Sequence, residues 1–209
     1  MPVTAPDGKR LLDIAVSSAG LLLTSPVVLA VAVAVRREDG GPVLFTQERV
    51  GLGGRPFRIH KFRTMRPDGG GPAVSGSGDA RVTRVGRVLR RTKLDELPQL
   101  YDVLRGEMSL VGPRPEVPEF AALWPADLAP LILSVRPGIT DPASIAYRHE
   151  ADELAAAPDS HRHYVDVILP RKVQMYEEYV RGRSLAGDIR LIGDTARAVI
   201  GVRRSSPRQ

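Results

Sequence analysis

The sequence predicts a mainly α protein carrying one small β-hairpin. Three observations support this: a long apolar run near the N-terminus, a short pair of alternating segments after it, and helix-spaced apolar residues through most of the remainder. The chain has 209 residues, enough for one ordinary domain or for one domain plus an anchor. Hydrophobic residues make up 43% and charged residues 26%, a balance that suits a folded chain. The net charge of +6 suits phosphate-bearing partners such as nucleotides, anionic head groups or nucleic acid. The absence of cysteine excludes disulfides, thiolate metal sites and a cysteine nucleophile. Only 5% of residues are aromatic, which argues against a base-stacking nucleic-acid surface.

Leu11 to Val35 is the apolar run, and its one charge is Asp13. As a straight helix it would extend roughly 37 Å, long enough for a bilayer core. Several readings stay open: a single spanning helix, a signal peptide with Lys9-Arg10 as its charged end and Ala30-Val31-Ala32 as a cleavage site, a buried core helix, and a helix that enters and returns on one face. Two details favour re-entry. Ser25-Pro26 sits mid-segment, where proline removes a backbone bond and the serine hydroxyl can satisfy the freed carbonyl. Basic pairs flank both ends, Lys9-Arg10 and Arg36-Arg37, which suits two cytoplasmic ends. Asp13 is expected to pair with a nearby cation.

Val43 to Gln47 reads as a strand, Gly51 to Gly54 as a turn, and Phe57 to Arg63 as the returning strand. The glycine-rich stretch from Arg66 to Asp79 reads as a mobile loop without a P-loop ending. Arg81, Arg84, Arg87 and Arg90 recur every third residue and predict a basic helical stripe leading into Asp95 and Glu96. Leu97, Leu100, Tyr101 and Leu104 start an amphipathic helix, with Pro98 in its first turn and Asp95 near its N-cap. A carboxylate there would stay ionised, and the same free amides could hold a phosphate; plain capping is the simpler alternative. Met108 to Glu116 and Arg136 to Pro142 read as rigid proline loops, the first presenting Arg114. Two helices follow. Val173, Tyr176 and Val180 share a face in one. Leu185, Ile189, Ile192, Ala196 and Val199 share a face in the other, with Ser184 as its cap. Core packing is the default for both, and membrane contact is the alternative. His161 and His163 read as surface residues.

The ordered motifs resemble the bacterial sugar transferase family, the monotopic polyprenyl-phosphate phosphoglycosyl transferases, over roughly Lys9 to Val202. They are Lys9-Arg10 with Asp13, Ser25-Pro26, Phe45 to Gly51, Lys61 to Met65, Leu94 to Leu100, Ser109 to Pro115 and Arg136 to Thr140. The resemblance implies a re-entrant membrane helix over 1–37 and a cytoplasmic catalytic domain with amphipathic helices over 38–209, forming one functional unit. It implies Mg²⁺-dependent transfer of a hexose-1-phosphate from a UDP-sugar to polyprenyl (undecaprenyl) phosphate, as the first membrane step of a cell-surface glycan pathway.

Asp95 is then the nucleophile that forms a covalent phosphosugar and releases UMP. Glu96 is its metal or acid-base partner, and Asp95 and Glu96 together form the metal site. By the same resemblance Lys61 and Arg90 are expected to flank the phosphates, and Arg49, Arg63, Pro113, Arg114 and Arg136 to bind substrate. The expected location is the cytoplasmic face of the bacterial inner membrane. Expected partners are the UDP-sugar, polyprenyl phosphate and membrane phospholipids, with a homodimer left open and no nucleic acid. Asp141 and Pro142, Asp102 and Glu107 depart from the commoner family pattern and leave the sugar undefined. The absence of further N-terminal membrane helices suggests a minimal catalytic unit. The alternatives are a non-catalytic membrane-anchored phosphate-binding adaptor, a cationic nucleic-acid binder and a lipid-phosphate phosphatase.

Overall fold

The structure is a computed structural model that describes residues 8–66 and 79–200. Most of the glycine-rich stretch, and the side chain of Val199, lie outside the described residues. The described residues are mostly helical, and among them one helix is long and apolar enough to cross a membrane.

That helix, α1 (Lys9–Asp39), is continuous over 31 residues. Pro26 sits inside it without breaking it. Proline has no N–H for the Leu22 carbonyl, and the Ser25 hydroxyl donates to that oxygen at 2.8 Å instead. Gly40, at φ 71°, ends the helix in the left-handed conformation that glycine adopts without steric penalty.

Most of α1 is bare: Leu11, Leu22, Leu23 and Leu29 are between 66% and 78% exposed. Its buried residues are Asp13, Ser17, Val31 and Val35. Val31 follows Asp13, and Val35 follows Ser17, by about five helical turns, so all four lie on one stripe. The stripe rests on the rest of the protein at both ends of α1. At the start, Asp13 Oδ1 accepts from the Ser109 hydroxyl at 3.1 Å and the Leu110 N–H at 3.0 Å. Asp13 therefore meets main-chain and hydroxyl donors, not the expected cation. The neighbouring cations go elsewhere: Lys9 to Asp188 at 2.5 Å, and Arg10 to the Val103 and Leu104 carbonyls. Toward the other end, Val31 and Val35 pack with Phe62 and Leu89, and Asp39 is paired with Arg63.

The hairpin forms as the alternation predicts. Strands β1 (Leu44–Val50) and β2 (Pro56–Phe62) pair antiparallel, from Leu44 opposite Phe62 to Val50 opposite Pro56. Because strand side chains alternate, Lys61 shares a face with Phe57 and Ile59, both buried. The hairpin thus points a lysine inward.

Helix α2 (Arg84–Thr92) is capped by the Thr83 hydroxyl, which accepts from the Gly86 N–H at 2.9 Å. The basic stripe is split. A three-residue spacing drifts by about 60° per step on a helix. Arg84 and Arg87 are exposed, whereas Arg90 turns inward and donates to the Thr64 hydroxyl at 2.9 Å. Arg81 precedes the helix and pairs with Asp79. Lys93 then adopts φ 59° and ends α2, and a single 3₁₀ turn, Leu94–Glu96, follows before α3 (Gln99–Arg105). Asp95 lies in that turn, three residues before Pro98, the N-cap of α3; this corrects the N-cap expectation.

The two proline loops contain a feature the sequence did not suggest. Strands β3 (Ser109–Val111) and β4 (Gly138–Thr140) pair in parallel, Ser109 with Gly138 and Val111 with Thr140. Three-residue strands are too short to show a period of two. The backbones approach so closely that a Cβ at Gly138 would overlap Gly112.

Short helices α4 (Pro118–Ala121), α5 (Ala129–Ile132), α6 (Pro142–Ala146) and α7 (Glu150–Ala156) surround the main core. Helix α8 (Ser160–His163) runs through a π-helical turn, Tyr164–Ile168, into α9 (Leu169–Gly182). Val173, Tyr176 and Val180 of α9 are buried as the spacing predicts, and Trp124, Ile132, Leu154 and Ile168 pack in the same core as Val173 and Tyr176. Helix α10 (Leu185–Ile200) begins at Ser184, whose hydroxyl accepts from the Gly187 N–H. Its expected apolar face is only partly covered: Leu185 and Ile192 are half-buried, but Ile189 is exposed. Asp188 is buried instead, holding Lys9 and the Tyr179 hydroxyl.

Candidate active site

The 3₁₀ turn brings two adjacent carboxylates to the inner face of β2. Glu96 Oε1 lies 2.6 Å from Arg114 NH2 and 3.6 Å from Lys61 Nζ. The proline-flanked loop after β3 holds Arg114 in place, and the inward register of β2 supplies Lys61. Asp95, only 9% exposed, has no such partner, and its Oδ1 is buried without a hydrogen bond among the described residues.

The electrostatics separate the pair. Burial acts to raise the Glu96 carboxyl, but Arg114, Lys61 and Lys93 outweigh it and hold Glu96 well below the usual range. Asp95 is pushed upward, first by burial and then by the Glu96 charge, against weaker pulls from Lys61, Lys93 and Arg114. The helix-terminal amides expected to stabilise the Asp95 carboxylate do not serve it: Asp95 does not sit at the α3 N-terminus, and its neighbour takes the closest cations. Burial brings Lys61 down to about 8, assisted by Arg114 and opposed by Glu96. Arg114 is held more firmly protonated by Glu96.

The other predicted residues divide into two groups. Arg49 donates to the Pro115 carbonyl at 3.0 Å and to the Gln47 side chain at 2.6 Å, within the field of Glu116, Arg114 and Glu96. Arg90 feels the charge of Asp95. Pro113 lines a small cavity with Arg114, and its carbonyl accepts from the Gly138 N–H. Arg63 and Arg136 are engaged elsewhere. Arg63 binds Asp39 and the Pro42 carbonyl where the chain leaves α1, and Arg136 donates to the Gly106 carbonyl at 2.7 Å beyond α3. Asp102, one of the departures from the family pattern, accepts from the His60 N–H at 2.9 Å, and its other oxygen lies 2.6 Å from His60 Nδ1.

Beside the dyad lies a cleft of about 280 Å³, with Arg49, Lys93 and Arg114 at its dyad end. Further in it is lined by Glu116, Tyr147, Glu150, Tyr164, Lys172 and Tyr176. Reading the sequence missed this wall. One signal was present: Lys172 falls on the α9 face that carries Leu169, Val173 and Tyr176, and a charge on a buried stripe needs a reason.

Among the described residues, no three His, Asp or Glu side chains converge as a metal cage. Asp95 and Glu96 nonetheless fit Mg²⁺. That ion is usually held by one or two carboxylates plus substrate phosphates, and Asp95 offers an unclaimed buried oxygen.

Comparison with known proteins bears on this arrangement. The family model described as bacterial sugar transferase matches residues 5–202. A UDP-N-acetylgalactosamine-undecaprenyl-phosphate N-acetylgalactosaminephosphotransferase from Aeromonas hydrophila is 38% identical over 196 residues, covering 92% of this chain and 43% of the relative. A UDP-glucose:undecaprenyl-phosphate glucose-1-phosphate transferase from Caulobacter vibrioides is 47% identical over 150 residues, covering 66% and 53%. A putative undecaprenyl-phosphate N-acetylgalactosaminyl 1-phosphate transferase from Bacillus subtilis is 46% identical over 114 residues, covering 54% and 64%. The chain spans about half the length of these curated relatives.

Proposed function

The chain belongs to the bacterial sugar transferase family, and from that premise we propose that it transfers a hexose-1-phosphate from a UDP-sugar to undecaprenyl phosphate, with Asp95 as nucleophile and UMP as leaving group. The observation that carries this reading is the unequal dyad. Glu96 is pinned by Arg114 and Lys61, while Asp95 keeps a free oxygen in a desolvated site.

An Asp95 oxygen attacks the phosphorus bearing the sugar. The bond from that phosphorus to the bridging oxygen breaks, and UMP departs with the electron pair. An oxygen of the lipid phosphate then attacks the same phosphorus and releases the Asp95 carboxylate. Splitting one transfer into two displacements lowers each barrier. Lys61, Lys93 and Arg114 supply fixed positive charge around the reacting phosphate, and Arg49 and Arg90 add to it at longer range. When bound by Asp95, Glu96 and the diphosphate, Mg²⁺ would neutralise charge on the phosphates.

The lipid substrate requires the site to sit at a membrane, and α1 supplies the contact. Both ends of α1 rest on the same body, through Asp13 at one end and Val35 with Asp39 at the other. A helix held in this way keeps both ends on one side of the bilayer while its bare leucines face lipid. This supports the re-entrant reading, and the basic pairs at both ends, Lys9-Arg10 and Arg36-Arg37, suit the cytoplasmic side. Reporter tags at either terminus should both be cytoplasmic, and a periplasmic N-terminal tag would establish a spanning helix.

The decisive experiment assays purified protein with Mg²⁺, undecaprenyl phosphate and a panel of UDP-sugars. UMP release is expected, together with a phosphosugar adduct on Asp95 after brief exposure to labelled donor. Asp95→Asn should lose both and stay membrane-bound. Unchanged turnover in that variant would refute the assignment. Membrane binding without turnover in the wild type would favour a phosphate-binding adaptor.

A further inference from the structure

The cleft beside the dyad extends well beyond the carboxylates, and its inner wall carries polar groups the displacement chemistry does not use. Lys172, 4% exposed, is paired with Glu150 at 2.5 Å. Its ammonium lies 4.9 Å from the centre of the Tyr164 ring and 6.0 Å from that of Tyr147. The Tyr176 side chain is fully buried, and its hydroxyl has no hydrogen-bond partner among the described residues; the same holds for Arg49 Nε. Buried polar groups left unpaired are unfavourable unless something completes them. The π-helical turn at Tyr164–Ile168 sits on this wall, and such turns recur at functional sites.

We propose that this cleft seats the uridine half of the donor, with the uracil ring against the tyrosines, read by Lys172, Glu150 and the Tyr176 hydroxyl. The proposal rests on the reading that the donor is a UDP-sugar, and names where its nucleoside goes. Three arguments favour uridine over the sugar. Charge is the first. Arg49, Lys93, Arg114, Arg148 and Lys172 line the cleft against two carboxylates, Glu116 and Glu150. Both carboxylates are already engaged, by the Tyr164 hydroxyl and by Lys172. A cationic wall suits a phosphate whose charge grows as UMP leaves; a neutral hexose makes no use of it.

The order of events is the second argument. The sugar must stay on Asp95 while UMP departs, so the departing half needs a path separate from the lipid. No residue of α1 lines this cleft. Shape is the third. Uracil is a flat ring with two carbonyl acceptors and one N–H, matching aromatic faces, the Lys172 and Tyr176 donors and a carboxylate acceptor.

The test is calorimetric titration of UMP into the purified full chain in nanodiscs with Mg²⁺, without lipid acceptor. Tyr176→Phe removes one hydroxyl and keeps the ring against Trp124; it should weaken UMP binding roughly fivefold to tenfold. Lys172→Met should weaken it by about tenfold or more, as expected for losing a charged donor. Arg148→Ala alters an exposed side chain that the fold does not need, and should weaken UMP by about twofold to fivefold. Affinity for hexose-1-phosphate should not change in any of the three. In turnover, the donor KM should rise in step with the loss of UMP affinity.

Unchanged UMP affinity in both Tyr176→Phe and Arg148→Ala overturns the proposal. So does a loss of hexose-1-phosphate affinity in place of UMP affinity, which would make the cleft the sugar site. A wild type that binds UMP, loses it in these variants and releases none from any UDP-sugar supports the subsite and overturns the transfer reading alone.

Discussion

Lys61→Met should make the protein more stable and less active. In the fold, burial and the nearby Arg114 bring the Lys61 ammonium from the ordinary lysine value of 10.5 to about 8. At about 1.4 kcal/mol per pH unit, holding that charge at neutral pH costs the folded state about 3 kcal/mol. Glu96, 3.6 Å away, offsets only part of this cost. Between about 8 and 10.5 the unfolded chain holds a proton on Lys61 that the folded chain has released, so wild-type stability gains from this residue as pH rises through that window. Below it the penalty is complete, and above it the penalty is gone.

Methionine has a similar length and no charge, and Glu96 keeps Arg114 at 2.6 Å, so no carboxylate is stranded. At pH 7 the variant should melt higher by roughly 6–12 °C, taking about 2–4 °C per kcal/mol for a chain of this size. The gap should close as the pH approaches 10.5, the ordinary lysine value. Following the difference between the two proteins cancels the tyrosines, which titrate in both. UMP release should fall at least a hundredfold, the scale of losing one charged group at a reacting phosphate. Wild-type kcat/KM should decline as pH rises through about 8, where the free enzyme loses this charge. A variant no more stable than wild type at pH 7, or a gap that does not close with pH, would refute the argument.

Glu96→Gln removes the charge that faces Arg114 and Lys61 and leaves two neighbouring cations in a buried site; it should destabilise by on the order of 3 kcal/mol, read from the urea midpoint. Asp13→Leu strands the Ser109 hydroxyl and the Leu110 N–H where α1 meets β3. Unfolding should become easier by about 2–4 kcal/mol, and proteolysis should release α1 from the body sooner. Two glycine substitutions should differ in sign. A Cβ at Gly86 would overlap the Thr64 carbonyl, so Gly86→Ala should lower the melting temperature sharply. Gly193 lies inside α10 with open space around it, so Gly193→Ala should stabilise by about 0.5–1 kcal/mol.

What could be read in the sequence was whatever short-range periodicity and stereochemistry decide. The apolar run became α1, and the alternating segments paired as the hairpin. Val173, Tyr176 and Val180 face the core, and Ser184 caps α10. Even the Ser25 contact with the carbonyl freed by Pro26 follows from local geometry. The readings that changed depend on contacts far apart in sequence. Asp13 finds donors 96 and 97 residues away, and β3 pairs with a strand nearly thirty residues on. The cleft wall draws on Glu150 and Lys172, which no local motif joins. Asp95 departs from the expected N-cap for a different reason: Pro98 does mark the start of a helix, but Lys93 turns left-handed before it and a tighter turn intervenes.

That inserted turn bears on the chemistry. Had Asp95 capped α3, free amides would have bonded its oxygens and lowered its carboxyl, leaving a comfortable anion with little to gain by reacting. The tighter turn leaves Asp95 Oδ1 unbonded and keeps Glu96 alongside as a like charge. Glu96 holds Arg114 and Lys61 in place at the spot where a phosphate would need them, while its own charge is neutralised by them. Two carboxylates whose surroundings drive their ionisation apart commonly divide the work between them. Here the split runs one way. The well-paired Glu96 organises cations, and the poorly satisfied Asp95 is the carboxylate that the proposed reaction would use as nucleophile. Exchanging the roles would require a fixed partner for Asp95 and a free oxygen for Glu96, the reverse of what the 3₁₀ turn provides.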